Sequence, residues 1–269
     1  MKINLPTIKN VMPSLRGLNL WTLKQKIKDH TIQRASTIQL LYKIDIYNLT
    51  PKERAYLLTI ETPEQQKIFI KTHGILRKTT GAMKAHSFTL QFSQLYIEGT
   101  MCHTRDVAPT NYSYSNNVIK DQNGTLFCLQ NSLYTRNFSD YLGGGGVLGV
   151  QAGTSLTTYG ILVGTGTSAP TNADYKLQTI IANGSSSGQL LYQATSVGAA
   201  AIVGANVDTV ICRIVVNGSG GSITLKEVGL ATQTGYGYGY NFLIAHDSVD
   251  QAIANTEVAV ISYVIRTTV

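Results

Sequence analysis

Charge is what this chain has least of. Asp, Glu, Lys and Arg make up 14% of its 269 residues, against roughly 25% in an ordinary soluble domain. The 15 acids are too sparse to mark out a carboxylate pair of the glycosidase kind. Cysteine is limited to Cys102, Cys128 and Cys212, an odd and widely spaced set that forms neither a disulfide framework nor a CxxC site. Reduced, buried thiols are the expectation. Long apolar runs are missing too. The most apolar stretch, 197–216, is interrupted by Asn206, Asp208 and Arg213, so no membrane-spanning helix is expected. The amino terminus shows no apolar core followed by a small-residue cleavage site, and no secretory leader is expected. Cys102-His103 has no second ligand pair at metal spacing. His246-Asp247-Ser248 has acyl-transfer residue types, but neighbours in a strand point to opposite faces. The expectation is a protein that is not an enzyme, with no catalytic residue, no cofactor and no metal.

What is present is divided unevenly. Residues 1–105 hold 16 Lys and Arg against 6 Asp and Glu, and residues 106–269 hold 6 against 9. The overall +7 is therefore +10 in front and −3 behind. Glycine runs the other way, with 4 of 25 in the front part and 21 in the rest, as expected if tight turns crowd the second part. Two regions follow: 1–105, a basic, helical or mixed attachment region, and 106–269, a glycine-rich antiparallel β-sandwich. The fold class is α+β overall.

In the front, Thr50-Pro51-Lys52-Glu53 and Thr62-Pro63-Glu64-Gln65 each supply a capping hydroxyl, a proline at the first helical position and a Glu or Gln at the third. Each predicts a short helix. The second is expected to close at Gly74 in the left-handed conformation. Leu20, Leu23 and Ile27 predict a helix near 18–29, and Ile38, Leu41, Tyr42 and Ile46 predict one over 35–47. Phe88, Leu90 and Phe92 alternate as in a half-buried strand.

Beyond residue 106, runs rich in Val, Ile, Tyr and Thr predict strands at 118–129, 159–163, 189–195, 207–216, 222–231, 240–246 and 257–267. The last, Val258 to Ile265, is apolar on both faces and is expected to be central in its sheet. Asn183 to Gly188 and Asn217 to Gly221 are expected at hairpin ends. Gly164-Thr-Gly-Thr-Ser-Ala169 formally fits a dinucleotide G-x-G-x-x-A pattern. Its phosphate reading needs a helix to start there, and Pro170-Thr-Asn-Ala-Asp174 supports only a turn, so a strand running into a tight glycine turn is expected.

Two groups of residues are candidates for contact with partners. Lys24, Lys26, Lys28 and Arg34, together with Lys71, Arg77 and Lys78, cluster in the basic front. They suit an acidic protein surface. Nucleic acid is the weaker reading, because the aromatics that would stack on bases are not interleaved with them. Gly235-Tyr236-Gly-Tyr238-Gly-Tyr240 reads either as a hairpin loop or as a contact loop, since tyrosine supplies area and a hydroxyl at low entropic cost.

Three segments carry a resemblance. An apolar strand leads into Val163-Gly-Thr-Gly-Thr-Ser-Ala-Pro170 and then Asp174-Tyr-Lys-Leu177; Ile223-Thr-Leu-Lys-Glu-Val-Gly-Leu230 follows; Phe242-Leu-Ile-Ala245 precedes the strand Val258 to Ile265. In this order and spacing they resemble a β module of virion structural proteins of tailed bacteriophages and related viruses, over roughly residues 115–269. A charged residue usual after the Leu-Ile-Ala element stands here as His246. The resemblance implies a tail, neck, fibre or head-attached component. Such a component is made in the host cytoplasm, resides in the virion, and assembles with itself as a homo-oligomer and with other virion proteins, with no membrane. The alternative is a module that binds a host-surface glycan or receptor through the Gly/Tyr loop.

Overall fold

The computed structural model describes residues 37–85, 88–89, 92, 118–128, 149–233 and 240–268. The strands, in chain order, are β1 (Thr37–Asn48), β2 (Ile75–Thr79), β3 (Met83–Lys84), β4 (Val118–Lys120), β5 (Leu126–Cys128), β6 (Gly160–Gly164), β7 (Leu191–Tyr192), β8 (Ser196–Val197), β9 (Ala201–Val203), β10 (Asn206–Val216), β11 (Ile223–Gln233), β12 (Asn241–Ile253) and β13 (Glu257–Thr268). Two α-helices occur among the described residues, α1 (Pro51–Leu57) and α2 (Pro63–His73). The protein is thus mostly β.

Sheet A has the order β2-β1-β13-β10-β7, with β3 on β1 and with β8 and β9 on β10; sheet B is β12-β11-β6; β4 and β5 form a separate pair. Pairing in all three is antiparallel. Leu40, Tyr42, Ile44 and Ile46 of β1 and Ala259, Ile261 and Tyr263 of β13 join Ile161, Val163, Val228, Leu230 and Ile244 of sheet B in one core. Period-2 alternation places them on one face of their strands.

The opposite face of sheet A is covered as well. Cys212, Ile214, Val216, Val258 and Val260 pack with Leu57 of α1 and Ile70 of α2. Each fully buried Leu or Ile of this kind contributes about 1.5 to 3 kcal/mol. This explains why β13 is apolar on both faces, and its place between β1 and β10 agrees with the central strand expected. Burial also pushes the Cys212 thiol pKa up, keeping it protonated.

The helix caps form as expected. Thr50 Oγ1 accepts from Glu53 N–H at 3.3 Å while the Glu53 carboxylate accepts from Thr50 N–H at 2.8 Å, and Thr62 Oγ1 accepts from Gln65 N–H at 3.4 Å. Four expectations need correcting. Of the helix expected over 35–47, the described residues 37–47 are strand: β1 runs from Thr37 and pairs along its whole length with β13. The sheet therefore takes in residues far ahead of 106. Gly74 closes α2 in extended conformation, φ −76° and ψ 142°, not left-handed. A Cβ there would lie 2.6 Å from the Ile70 carbonyl oxygen, so close approach is what calls for glycine. Phe88 makes only an isolated bridge to Ala245, and its ring stacks on Phe92 at 3.7 Å. Asn217 to Gly221 joins β10 of sheet A to β11 of sheet B, a crossing between sheets instead of a hairpin. The region expected to be a helix at 18–29 lies outside the described residues. Among the described residues no helix is long and apolar enough to cross a membrane.

Candidate functional site

The glycine turn after β6 encloses a side chain. Glu227, on β11 and 1% exposed, accepts from Gly166 N–H at 3.0 Å and Thr179 N–H at 2.7 Å through Oε1. Its Oε2 accepts from Gln178 N–H at 2.9 Å and from His246 Nε2 at 3.1 Å. Four donors around one buried carboxylate are what its burial requires. A Cβ on Gly164 or Gly166 would sit 2.3 or 2.5 Å from Glu227 Oε1, so both glycines exist to let the backbone close on this anion. The N–H of Gly166 that a nucleotide phosphate would need is already used, and no helix begins there. The sequence pattern is a phosphate-loop look-alike wrapped around an internal carboxylate.

His246, on β12, is 3% exposed, and its other nitrogen, Nδ1, lies 2.7 Å from Asp174 Oδ2. Asp174 is in turn fixed by the N–H and hydroxyl of Thr171. Two carboxylates facing both ring nitrogens call for two donors, which only the imidazolium provides. Burial alone would lower the His246 pKa, but the hydrogen bonds to Glu227 and Asp174 and their charges outweigh it and the net shift is upward. Burial would raise the Glu227 and Asp174 pKa values; hydrogen bonds from His246 and from backbone groups at Thr179, Gln178, Gly166 and Thr171 bring both below the usual carboxylate range.

The cluster fastens a strap. Residues 165–181 fold back beside β6, with Thr165 N–H donating to the Thr179 carbonyl and Ile181 N–H to the Val163 carbonyl. Leu177 of the strap packs on Leu162, Ala231 and Leu243, covering the outer face of sheet B. The space for Leu177 comes from Gly229, where a Cβ would lie 2.8 Å from its Cδ2. Chemically, the arrangement is a fastening: both ring nitrogens are engaged, and the imidazolium has no free nitrogen to act as a base.

The pH dependence follows from these shifts. A raised His pKa contributes stability that is complete below its ordinary 6.5 and is lost as pH rises through the folded value. Lowered carboxyl pKa values contribute stability present above their ordinary 3.8 and 4.5 and lost as pH falls through the folded values. The strap is therefore expected to be most firmly held between about pH 4.5 and 6.5. Hydrogen exchange at residues 165–181 is expected to show protection falling above that window in the wild type and staying flat in His246→Gln. A flat wild-type profile would show that His246 is uncharged.

Asp247 turns to the opposite side, where it accepts from the Tyr263 hydroxyl at 2.9 Å in the core, so His246 and Asp247 do not share a site. Of the expected contact residues, Lys71 lies in the last turn of α2, and Arg77 and Lys78 lie on β2, all exposed. Lys24, Lys26, Lys28, Arg34, Tyr236 and Tyr238 lie outside the described residues. The Gly/Tyr loop joins β11 to β12 where Gln233 pairs with Asn241. Tyr240 at its end is half-buried against the main core. Among the described residues no group of three His, Cys, Asp or Glu is placed to hold a metal. Asp174, Glu227 and His246 were given no role by sequence reasoning; the one available signal was a glycine pair after a strand with no helix to follow. No protein-family model, no curated protein and no solved structure matches the chain.

Proposed function

We propose that the chain is a non-enzymatic structural component of a virus particle, a tail, neck, fibre or head-attached protein of the tailed-bacteriophage type. It assembles with copies of itself and with other virion proteins. On this reading the two sheets form a β-sandwich module, and the basic front, with Lys24, Lys26, Lys28 and Arg34, attaches it to neighbours.

The observation that supports the reading most is the convergence of the segments that carry the resemblance. The strand and glycine turn ending in Asp174 to Leu177, the segment Ile223 to Leu230 and Phe242 to Ala245 lie in the three strands of sheet B and its strap, while Val258 to Ile265, the remaining part, is the central strand of sheet A facing them across the core. Their ordered spacing in sequence corresponds to one packed core in which Asp174, Glu227 and His246 are committed to holding the strap. A module of that kind suits an assembly part. The test is mass spectrometry of purified particles of the virus that encodes the chain, followed by density assignment in a particle reconstruction. The protein is expected at fixed stoichiometry; its absence from the particles overturns the proposal.

A further inference from the structure

The two edges of sheet A are built differently. On one side lies β2, whose five residues are all exposed and include Arg77 and Lys78. Cations on an edge strand repel a like strand and guard it against pairing. The other side runs along β7, β8 and β9. The loop at 152–155 covers its first part: Ser155 N–H donates to the Tyr192 carbonyl and Thr195 N–H to the Ala152 carbonyl. Beside β9, no strand among the described residues pairs with the outer edge.

That uncovered stretch is also unguarded. Residues 198–205 read Gly-Ala-Ala-Ala-Ile-Val-Gly-Ala, all exposed and none charged. Ile202 is 84% exposed, more than any other large apolar side chain among the described residues, and Val203 is 48% exposed.

The backbone of β9 is self-complementary. It joins β10 through the two-residue turn Gly204-Ala205, with Gly204 at φ 62°, in the register Val203↔Asn206, Ile202↔Val207, Ala201↔Asp208. In such a hairpin the pair flanking the turn is hydrogen-bonded and the pairs then alternate. Val203 and Ala201 therefore direct their N–H and C=O groups to β10, and Ile202 directs its own outward. A donor and an acceptor on one residue, aimed the same way, match their own copy across a two-fold axis.

We propose that β9 is the docking site for a second copy of this chain. The two β9 strands pair antiparallel about an axis at Ile202, and sheet A runs continuously from one subunit into the next. The absence of charge over residues 198–205 makes the strand acceptable to itself, whereas β2 paired with its own copy would bring Arg77 and Lys78 of both together. This deepens the assembly reading given above and rests on it. Eight residues a side is well short of the 20–30 of a standard interface, so the dissociation constant is expected at about 10 to 100 μM.

Sedimentation equilibrium of the full chain from about 2 to 500 μM spans that expected range. The wild type is expected to pass from monomer to dimer. Ile202→Lys, which sets two ammonium groups face to face at the axis, is expected to raise the dissociation constant by ~100-fold or more and to leave the unfolding temperature of dilute protein unchanged. Arg77→Glu, on the other edge, is expected to dimerise like the wild type. A wild type that stays monomeric overturns the proposal. So does an Ile202→Lys variant of unchanged mass, which moves the interface elsewhere and leaves self-assembly intact. So does an Ile202→Lys monomer that melts earlier, which would show that the chain covers Ile202 itself. Failure of the virion reading is read separately, from the composition of purified particles.

Discussion

Replacing Arg213 by methionine is expected to destabilise the protein by about 3 to 5 kcal/mol, although no acid among the described residues pairs with it. Arg213 sits in β10 with 1% of its surface exposed. Its Nε donates to the Gln193 carbonyl at 2.8 Å, Nη1 to those of Ile161 and Tyr159 at 2.9 and 3.3 Å, and Nη2 to those of Gly153 and Leu156. The guanidinium carbon lies 4.8 Å from the Tyr192 ring centre. Burial lowers its pKa to about 10, which still leaves it charged at neutral pH. Four of the five carbonyls lie outside the regular strands and the fifth, Ile161, is in β6, and one rigid fork of donors gathers them. Methionine keeps most of the volume and removes every donor, so the loss measures orphaned carbonyls and not a cavity. Lysine, with one compact ammonium, is expected to recover less than half. Thermal unfolding followed by circular dichroism reads the result: about 6 to 20 °C lower for methionine. A shift under about 3 °C would show that water replaces the guanidinium.

The second large effect is expected at Glu227. Glu227→Ala leaves the N–H groups of Gly166, Gln178 and Thr179 and the His246 ring without their acceptor. A loss of about 3 to 4 kcal/mol is expected, with the strap opening before the sheets. Amide exchange at Gly166 and Thr179 is then expected to accelerate by ~100-fold, while that of Ile261 and Val260 in β13 follows global stability alone. Glu227→Gln, which retains one acceptor oxygen but turns an amide group toward a donor, is expected to fall between. A Glu227→Ala/His246→Ala double variant is expected to cost clearly less than the sum of the singles, because both remove the same contact. Strict additivity would show that the two side chains are held independently.

Much of the β framework could be read from composition because strands 206–216, 223–233, 241–253 and 257–268 are long runs of branched and aromatic residues between turns. Two features resisted for different reasons. In β1, Ile38, Leu41, Tyr42 and Ile46 satisfy a helical period, while Leu40, Tyr42, Ile44 and Ile46 satisfy the strand period that the core uses. Apolar density there is high enough to fit both, and pairing with β13 decides. Arg213 counted in the sequence only as an interruption of an apolar stretch; a lone cation inside a strand of Val and Ile is itself a sign of buried carbonyls to be gathered. The cluster of Asp174, Glu227 and His246 was hidden by separation. Its members lie 72 and 19 positions apart along the chain and meet only because β11 lies between β6 and β12.

The pairing of β1 with β13 also sets a clock. Asn48 lies opposite Glu257 and Thr37 opposite Thr268, so β1 leaves the ribosome more than 200 residues before this neighbour exists, whereas β2 and β3 on its other edge follow at once. At 5–20 residues per second that is about 10 to 40 seconds, during which the edge of β1 that β13 will occupy stays open. Sheet A cannot close, and α1 and α2 cannot settle on Val258 and Val260, until β13 has been made. A chain translated only as far as β12 therefore has α1 and α2 without Val258 and Val260 beneath them, and β1 and β10 without the strand that joins them.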